Sequence, residues 1–420
     1  MSQTMNELKR AKAFAGTETL RIYLNETPVG ILSLLPGDTS VFAFDDDYVQ
    51  DARRPTLSLS FKSATGQLMT RVKPRRTKLD PFFSNLLPEG HLRDYLANKS
   101  GINKEREFLL LAALRDDLPG AVRLEQASDA DTTHDLSDVM HVDHDDGPFS
   151  FSLAGVQLKF SAVNESKGGL TIRASGSGGN WIVKLPSSAY DSLPEAEYSM
   201  MTLARLSGIE VPQIKLVDTA SVKGLPIDLP PSFGQSLAIE RFDRGPRGKR
   251  IHAEDFAQVF GLYQGDKYGK ASYENIASVL WAEAGENDVK ELVRRIVFST
   301  LIGNADMHVK NFSVLYQDTI HARLSPAYDL VPTILFMPSD LTLGLSLGKT
   351  KKMYDINLDV MKKFAASARI PEHLVLQTSQ ETVTAVRDAW TKNKSDFPLS
   401  KKQVESIEKH MDAIPLAHDQ

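Results

Sequence analysis

Two side chains with the spacing of a phosphotransferase catalytic loop lie between Gly303 and Asn311. Asp306 and Asn311 are separated by four residues, and the segment directly follows an apolar helical stretch. In protein kinases, an aspartate near the attacking hydroxyl is followed five positions later by an asparagine that binds a metal ion. His308 lies between the two and is a further catalytic candidate. The spacing indicates phosphoryl transfer and does not name the acceptor.

A second acidic group follows in the run LSPAYDL, which ends with Asp329 and Leu330. A short strand and turn between Asn311 and Asp329 would bring both side chains to one Mg²⁺ ion. Magnesium prefers hard oxygen ligands of this kind. We therefore expect Asn311 and Asp329 to be the metal ligands.

The nucleotide also needs a cation on its phosphates, and a carboxylate that holds this cation. Lys184 lies in the apolar strand-like run NWIVKLP, where a charged side chain is unusual. Glu197, early in the helical run EAEYSMM, is its expected partner, with Glu195 as second choice. Further on, SLAIERF resembles the strand that leads to a kinase hinge, where backbone groups from Glu240 to Phe242 could contact adenine.

The sequence has no G-x-G-x-x-G loop before these strands. The stretch from Ser150 to Lys159, SFSLAGVQLK, takes its place. Small residues let the backbone approach phosphate closely, and Lys159 adds positive charge. Each of these residues, taken singly, could equally have a structural role. Their order along the chain favours a kinase site.

The elements that would position these residues follow from periodicity. From Leu20 to Phe61, the runs LRIYL, VGILSLL, SVFAF and TLSLSF predict four strands separated by turn residues. Helical spacing follows between Asp80 and Leu114. After an Asp-rich stretch, five strand-like runs enclose one helical segment around residues 195–209. Beyond His252 the chain is largely helical, most clearly from Asp288 to Ile302.

We therefore expect four parts. They are an N-terminal α+β subdomain (1–127), an acidic linker (128–148), a kinase small lobe with the phosphate-binding loop (149–245) and a helical catalytic lobe (246–420). A length of 420 residues fits several packed units better than one core.

Composition narrows the function classes. The formal charge of -5 argues against a chain that coats nucleic acid through its overall field. The absence of cysteine excludes disulfides, thiolate zinc sites and a cysteine nucleophile. No run approaches the ~18 apolar residues that span a bilayer. We expect a cytoplasmic protein without a membrane partner.

The motifs SLAGVQLKF, WIVKLP, AEYSMM, ERFDR, HAEDFAQ, GNADMHVKNFS and SPAYDL resemble, in content and order, those of the HipA family of bacterial kinases. The N-terminal runs YLNETPVG and FFSNLLPEG share the likeness, so that it covers nearly the whole chain. The resemblance implies an α+β fold with a two-lobed, lipid-kinase-related core and an added N-terminal β-rich subdomain.

The resemblance also implies roles for individual residues. Asp306 would be catalytic, with Asn311 and Asp329 on magnesium and Lys184 on ATP. Ser152 would be the serine that such kinases autophosphorylate to switch themselves off. The remaining residues of the nucleotide site would be Ala154, Gly155, Val156, Gln157, Lys159, Glu197, Glu240 and Phe242.

Family members act as toxins of type II toxin-antitoxin modules. The resemblance implies glutamyl-tRNA synthetase as protein substrate and a small helix-turn-helix, HipB-like antitoxin as partner. Contact with operator DNA would run mainly through that antitoxin. The sequence also allows two other functional interpretations. The protein could be a catalytically silent co-repressor that only binds its antitoxin, or a small-molecule phosphotransferase that shares the Asp-x-x-x-x-Asn loop.

Overall fold

A computed structural model describes residues 18–114, 118–127, 159–164, 170–172, 179–225 and 234–419. We call residues 18–127 the N-terminal unit, 159–245 the small lobe and 246–419 the helical lobe. Ser152 and the predicted phosphate loop, Ala154, Gly155, Val156 and Gln157, lie outside the described residues, as does the acidic linker.

The N-terminal unit is a five-stranded antiparallel sheet covered by short helices. The sheet order is β4-β3-β2-β1-β5. Its strands are β1 Glu18–Leu24, β2 Thr27–Leu35, β3 Thr39–Phe44, β4 Arg75–Arg76 and β5 Val122–Gln126. Its helices are α1 Asp46–Gln50, α2 Pro81–Ser84, α3 Gly90–Ser100 and α4 Glu107–Ala113. Alternating residues of β1, such as Leu20 and Ile22, face a separate hydrophobic core that also contains Phe82 and Phe83.

The fourth predicted strand of this unit, TLSLSF, was wrong. The segment instead ends in a 3-10 turn, Leu59–Phe61. Ser58 caps this turn by accepting a hydrogen bond from the Ser60 amide. The Ser58 hydroxyl and the Leu59 amide then donate to Glu254 of the helical lobe, at 2.5 and 2.9 Å. These partners replace the ladder hydrogen bonds that a strand would have made.

The small lobe is a second antiparallel sheet with one helix against it. The order is β7-β6-β8-β10-β9. Its elements are β6 Lys159–Asn164, β7 Leu170–Ile172, β8 Trp181–Lys184, α5 Leu193–Leu206, β9 Ile214–Asp218 and β10 Gln235–Glu240. The buried face of α5, including Met200 and Leu203, belongs to the same core as the helical lobe. The helix therefore joins the two lobes.

The helical lobe surrounds a three-stranded sheet and a hairpin. The strands are β11 His252–Asp255, β12 Ser313–Tyr316, β13 Arg323–Leu324, β14 Thr342–Leu347 and β15 Thr350–Lys352. The helices are α6 Phe256–Val259, α7 Tyr273–Glu283, α8 Glu286–Ile302, α9 Leu358–Ala368, α10 Glu372–Asn393 and α11 Lys401–Ala413. Within the described part of the chain, no helix combines the length and apolar character that crossing a bilayer requires.

Helix α8 matters most because it ends at the catalytic-loop candidate. The carboxylates of Glu286 and Asp288 in its first turn interact favourably with the positive end of the helix dipole and so stabilise the helix. It ends at Gly303, whose φ of 71° is left-handed. A Cβ at this position would lie 2.5 Å from the Ile334 side chain. Glycine is thus required both by the backbone angle and by the close approach.

Candidate active site

Hydrogen bonds within the helical lobe fix the loop from Gly303 to Asn311. Thr333 accepts from the Ala305 amide at 2.8 Å and donates to the Gly303 carbonyl at 3.0 Å. The Asn311 side-chain amide donates to the Asp306 carbonyl at 2.7 Å. The two residues with kinase spacing therefore contact each other, and the Asn311 amide is oriented with its nitrogen towards the loop.

The Asp306 side chain is 50% exposed. One oxygen, Oδ1, accepts a hydrogen bond from the Tyr268 hydroxyl at 2.5 Å. His308 Nε2 is 3.8 Å from the same oxygen, beyond hydrogen-bond distance. Burial lowers the pKa of His308, so its ring is neutral near pH 7. His308 is thus a buried neighbour of the carboxylate rather than its cationic partner.

Lys184 joins the small lobe to the Asp329 segment. Its ammonium group donates to Glu197 Oε1 at 2.5 Å and also to Asp329 Oδ1. Glu197 is fully buried on α5, and Lys184 is nearly so on β8. Of the two glutamates considered from sequence, Glu197 and not Glu195 contacts the lysine.

The charges of this triad are set by burial and by each other. Burial opposes the charge on Lys184, but Asp329 and Glu197 outweigh it and raise its pKa. Burial alone would raise the pKa of Asp329, yet Lys184 and Lys159 lower it well below its usual range. Burial raises the pKa of Glu197, and the charge of Lys184 offsets only part of this rise. Lys184 and Asp329 are therefore an ionised pair at neutral pH.

Lys159 stands directly opposite Lys184 in the antiparallel pairing of β6 with β8. Like charges at opposed positions destabilise a sheet unless anions lie nearby. The charge of Lys159 acts on Asp329 and also on Glu89 of the N-terminal unit, and lowers the pKa of both. The charge of Lys159 therefore acts on the same carboxylate that Lys184 contacts.

The hinge candidates lie at the end of β10. The Glu240 amide donates to the Gln213 carbonyl at 2.8 Å and is therefore used within the protein. The Phe242 ring lies 5.6 Å from that of Tyr328, the residue before Asp329. The predicted adenine-contacting segment and the predicted metal-binding segment are accordingly neighbours.

Asp329 supplies carboxylate oxygens, which are the kind of ligand that magnesium prefers. Asp329 has a φ of 54°, a left-handed conformation that is uncommon outside glycine. Its side chain stays 27% exposed while one oxygen binds Lys184. The Asn304 side chain bonds the Asp329 carbonyl at 3.2 Å and the Asp306 amide at 3.0 Å, which ties the two acidic segments together. Among the described residues, no group of three or more His, Cys, Asp or Glu side chains forms a metal cluster.

No local pattern in the sequence predicts that the N-terminal unit contacts this loop. Lys310, inside the loop, donates to Asn85 at 2.8 Å and to Asp255 at 2.6 Å, and its ammonium lies 3.3 Å from Glu89. Asn85 and Glu89 belong to the run FFSNLLPEG. Lys310 stands within the motif, but its partner Asn85 lies 225 positions away.

Two family models match the chain. The HipA N-terminal domain matches residues 20–125, and the HipA-like C-terminal domain matches residues 151–390. The second match alone covers more than half of the sequence. The chain belongs to the HipA family.

Relatives of this HipA-family chain are kinases by name. Y4dM of Sinorhizobium fredii, named as a kinase, is 47% identical and covers 94% of this chain and 97% of its own length. The serine/threonine-protein kinase toxin HipA of Shewanella oneidensis is 24% identical over 86% of each chain. These relatives make a kinase activity, and with it the use of ATP, the family-level function.

A solved structure confirms the fold class. Shewanella oneidensis HipA, in a complex with HipB and operator DNA, superposes with a TM-score of 0.71 at 22% identity and covers 95% of this chain and 96% of its own. At this identity the likeness concerns the fold alone. The α+β architecture expected from the motifs is therefore confirmed.

Proposed function

We propose that this protein is an ATP-dependent serine/threonine kinase that uses Mg²⁺ and acts as the toxin of a type II toxin-antitoxin module. The observation that carries the proposal is the convergence of three distant segments. Lys184 joins Glu197 to Asp329, and Asn304 joins Asp329 to the loop that holds Asp306.

The roles follow from these contacts. Asp306 accepts the proton of the acceptor hydroxyl as its oxygen bonds to the γ-phosphorus and the bond from that phosphorus to the bridging oxygen breaks, releasing ADP. Lys184 is held by Glu197 and neutralises phosphate charge. Asn311 and Asp329 would hold Mg²⁺, which supplies charge neutralisation when bound. Lys159 and the stretch 154–157 would contact phosphates, and Glu240 and Phe242 adenine.

Regulation is proposed from the family resemblance. Ser152, just before the stretch 154–157, would accept phosphate from the same site, and this modification would inactivate the kinase. The proposal is supported by position: Lys159, seven residues later, already acts electrostatically on Asp329. Phosphorylation adds a charge of about -1.5 to -2 at neutral pH. This negative charge would interact electrostatically with the lysines of the site.

Partners are proposed on the same basis. The Shewanella oneidensis structure contains HipB and operator DNA. We infer that this chain binds a helix-turn-helix, HipB-like antitoxin and reaches operator DNA mainly through it as a co-repressor, which suits its formal charge of -5. Glutamyl-tRNA synthetase is the proposed protein substrate, and its phosphorylation would inhibit growth.

The decisive experiment incubates the purified protein with ATP and Mg²⁺ and locates phosphate by mass spectrometry. Ser152 is expected to gain phosphate, and Asp306→Asn is expected to abolish the gain. Asp318→Asn is a matched control, because Asp318 is similarly exposed, at 56%, but its carboxylate pairs with His321. Incorporation that persists in Asp306→Asn would overturn the catalytic role of Asp306. Incorporation that never occurs in the wild type under any ATP or Mg²⁺ condition would disprove the kinase proposal.

A growth assay separates the toxin from a silent co-repressor. Expression without antitoxin should arrest growth for the wild type and for Asp318→Asn, and not for Asp306→Asn or Asp329→Asn. Equal behaviour of all four would favour a role in binding alone. Labelled phosphate found on a metabolite rather than on protein would instead favour a small-molecule phosphotransferase.

A further inference from the structure

The candidate catalytic carboxylate is held by a tyrosine outside the motifs. Tyr268 lies on the segment between α6 and α7, and its hydroxyl donates to Asp306 Oδ1 at 2.5 Å. The contact is a charge-assisted hydrogen bond, which is short and about twice as strong as a neutral one. Tyr268 is 42% exposed, so its ring borders the face of Asp306 that is open to solvent.

Three contacts hold Tyr268 in place. Its ring meets the buried His308 ring edge-on, with centroids 5.0 Å apart. The Lys267 ammonium lies 5.3 Å from the Tyr268 ring centroid. Lys351 donates both to the Tyr268 carbonyl and to the Gly344 carbonyl, each at 3.0 Å. These contacts place both the ring and the backbone of Tyr268 next to the loop that carries Asp306.

The direction of the hydrogen bond is fixed by proton affinity. Burial, together with the hydrogen bond to Asp306 and the charge of Asp306, raises the pKa of Tyr268 above its ordinary value. The phenol therefore remains protonated at neutral pH and donates to the carboxylate. With Oδ1 engaged in this way, rotation of the carboxylate is restrained and Oδ2 is the oxygen left to accept a proton from an acceptor hydroxyl.

The N-terminal unit holds the segment that carries Tyr268. Tyr263 donates to the Leu79 carbonyl at 3.0 Å, and Gln264 donates to the Leu87 carbonyl at 3.1 Å. Glu89 pairs with Lys267 at 3.4 Å. Burial would raise the pKa of Glu89, but Lys310 and Lys267 lower it, so the carboxylate is ionised at neutral pH.

Glu89 therefore contacts both sides of the catalytic aspartate. Through Lys310, at 3.3 Å, it reaches the loop that carries Asp306, and through Lys267 it reaches the segment that carries Tyr268. We propose that Tyr268 is a positioning residue for Asp306, held in register from the N-terminal unit by Glu89. This inference rests on the proposed kinase function.

The test compares Tyr268→Phe with the wild type, using radiolabelled ATP, Mg²⁺ and dephosphorylated casein as a serine-containing acceptor. Loss of one charge-assisted hydrogen bond predicts a kcat that is lower by about ten- to a hundredfold. The KM for ATP and the affinity for ATP should not change. Tyr354→Phe is the matched control, since Tyr354 is 41% exposed and its hydroxyl contacts His410 rather than the loop.

A second variant tests the link to the N-terminal unit. Glu89→Gln should lower kcat in the same direction by a smaller factor, again without a change in the KM for ATP. If Glu89 acts through Tyr268, the double variant should have about the kcat of Tyr268→Phe, because two residues that act through one contact are not additive. Multiplied effects would show that Glu89 acts independently of Tyr268, as its contact with Lys310 allows, and would overturn the link between Glu89 and Tyr268.

The outcomes separate this inference from the kinase proposal. No transfer by the wild type would overturn both. A wild type that is active, with Tyr268→Phe equally active, would overturn the positioning role alone. A faster Tyr268→Phe would also overturn it, because the hydroxyl would then be competing with the acceptor for Asp306. Unchanged ATP affinity in Tyr268→Phe shows that the variant is folded.

Discussion

Lys184→Met is expected to destabilise the protein because it leaves Glu197 buried without its cation. Glu197 has no exposed surface, and its only described side-chain partner is Lys184, 2.5 Å from Oε1. The other oxygen, Oε2, has no hydrogen-bond partner among the described residues. Methionine fills a similar volume to lysine, so the change isolates the charge.

The magnitude follows from burial. Removing one partner of a buried ion pair costs about 3–5 kcal/mol, because the remaining charge is left uncompensated. Asp329 also loses its partner, but its side chain is 27% exposed and water can solvate it. The main cost therefore falls on Glu197, and we expect a loss of about 3 kcal/mol in the free energy of unfolding, the lower end of that range.

The assay is urea unfolding of four proteins at one pH: wild type, Lys184→Met, Glu197→Gln and the double variant. Glu197→Gln alone leaves Lys184 paired with Asp329 and should cost about 1 kcal/mol, the value of one hydrogen bond. The double variant should recover about 2 kcal/mol relative to Lys184→Met, because it contains no unpaired buried carboxylate. The coupling energy of the pair is the loss in the double variant minus the sum of the two single losses, which is about -3 kcal/mol with these values.

The pH dependence provides a second check on the same reasoning. Burial already raises the pKa of Glu197 in the wild type, and loss of Lys184 removes the charge that opposes this rise. In Lys184→Met the folded state would then bind the Glu197 proton more tightly than the unfolded state, so stability falls as pH rises. A Lys184→Met protein as stable as the wild type, or one that Glu197→Gln fails to rescue, would refute the argument.

Three further predictions follow. Burial lowers the pKa of His252 from 6.5 to about 4. Between these two pH values only the unfolded chain takes up a proton at His252, so the free energy of unfolding falls as the pH falls. His252→Gln should make the free energy of unfolding, measured by urea titration, depend less on pH in this range. Gly344→Ala places a Cβ 2.7 Å from the Met307 carbonyl and should lower phosphate transfer at least tenfold, whereas Gly245→Ala, with its nearest contact at 3.5 Å, should not. Glu107→Ala removes the acceptor of the Leu79 amide and the Ser84 hydroxyl, and calorimetry should show a loss of about 2–3 kcal/mol.

Local patterns in the sequence determined much of the fold. Period-two alternation predicted β1, β2 and β3, and helical periodicity predicted α5 and α8. The candidate catalytic loop was predicted from the fixed spacing of Asp306 and Asn311, and the structure shows that these two residues contact each other. Periodicity and the Asp-rich stretch also predicted the order of the parts.

The sequence could not decide between residues of the same type at similar positions, and tertiary packing determines which of them is used. Glu195 and Glu197 both lie near the start of α5. Only the orientation of this helix against β8 determines that Glu197 is the partner of Lys184. The run TLSLSF has strand-like composition, yet Glu254 in another unit binds its backbone and side chain and turns it into a 3-10 segment. Tertiary contacts outweighed local propensity there.

The sequence alone fixed which chemical groups are available, and where they stand along the chain. Only the tertiary structure showed that Tyr268 contacts Asp306 across 38 positions and that Lys310 contacts Asn85 across 225. Neither contact leaves a local trace, because a tyrosine in a polar segment and a lysine in a loop are both common at surfaces. Periodicity in the sequence reflects local secondary structure. The contacts of Tyr268 and Lys310 depend instead on how separate units pack against each other.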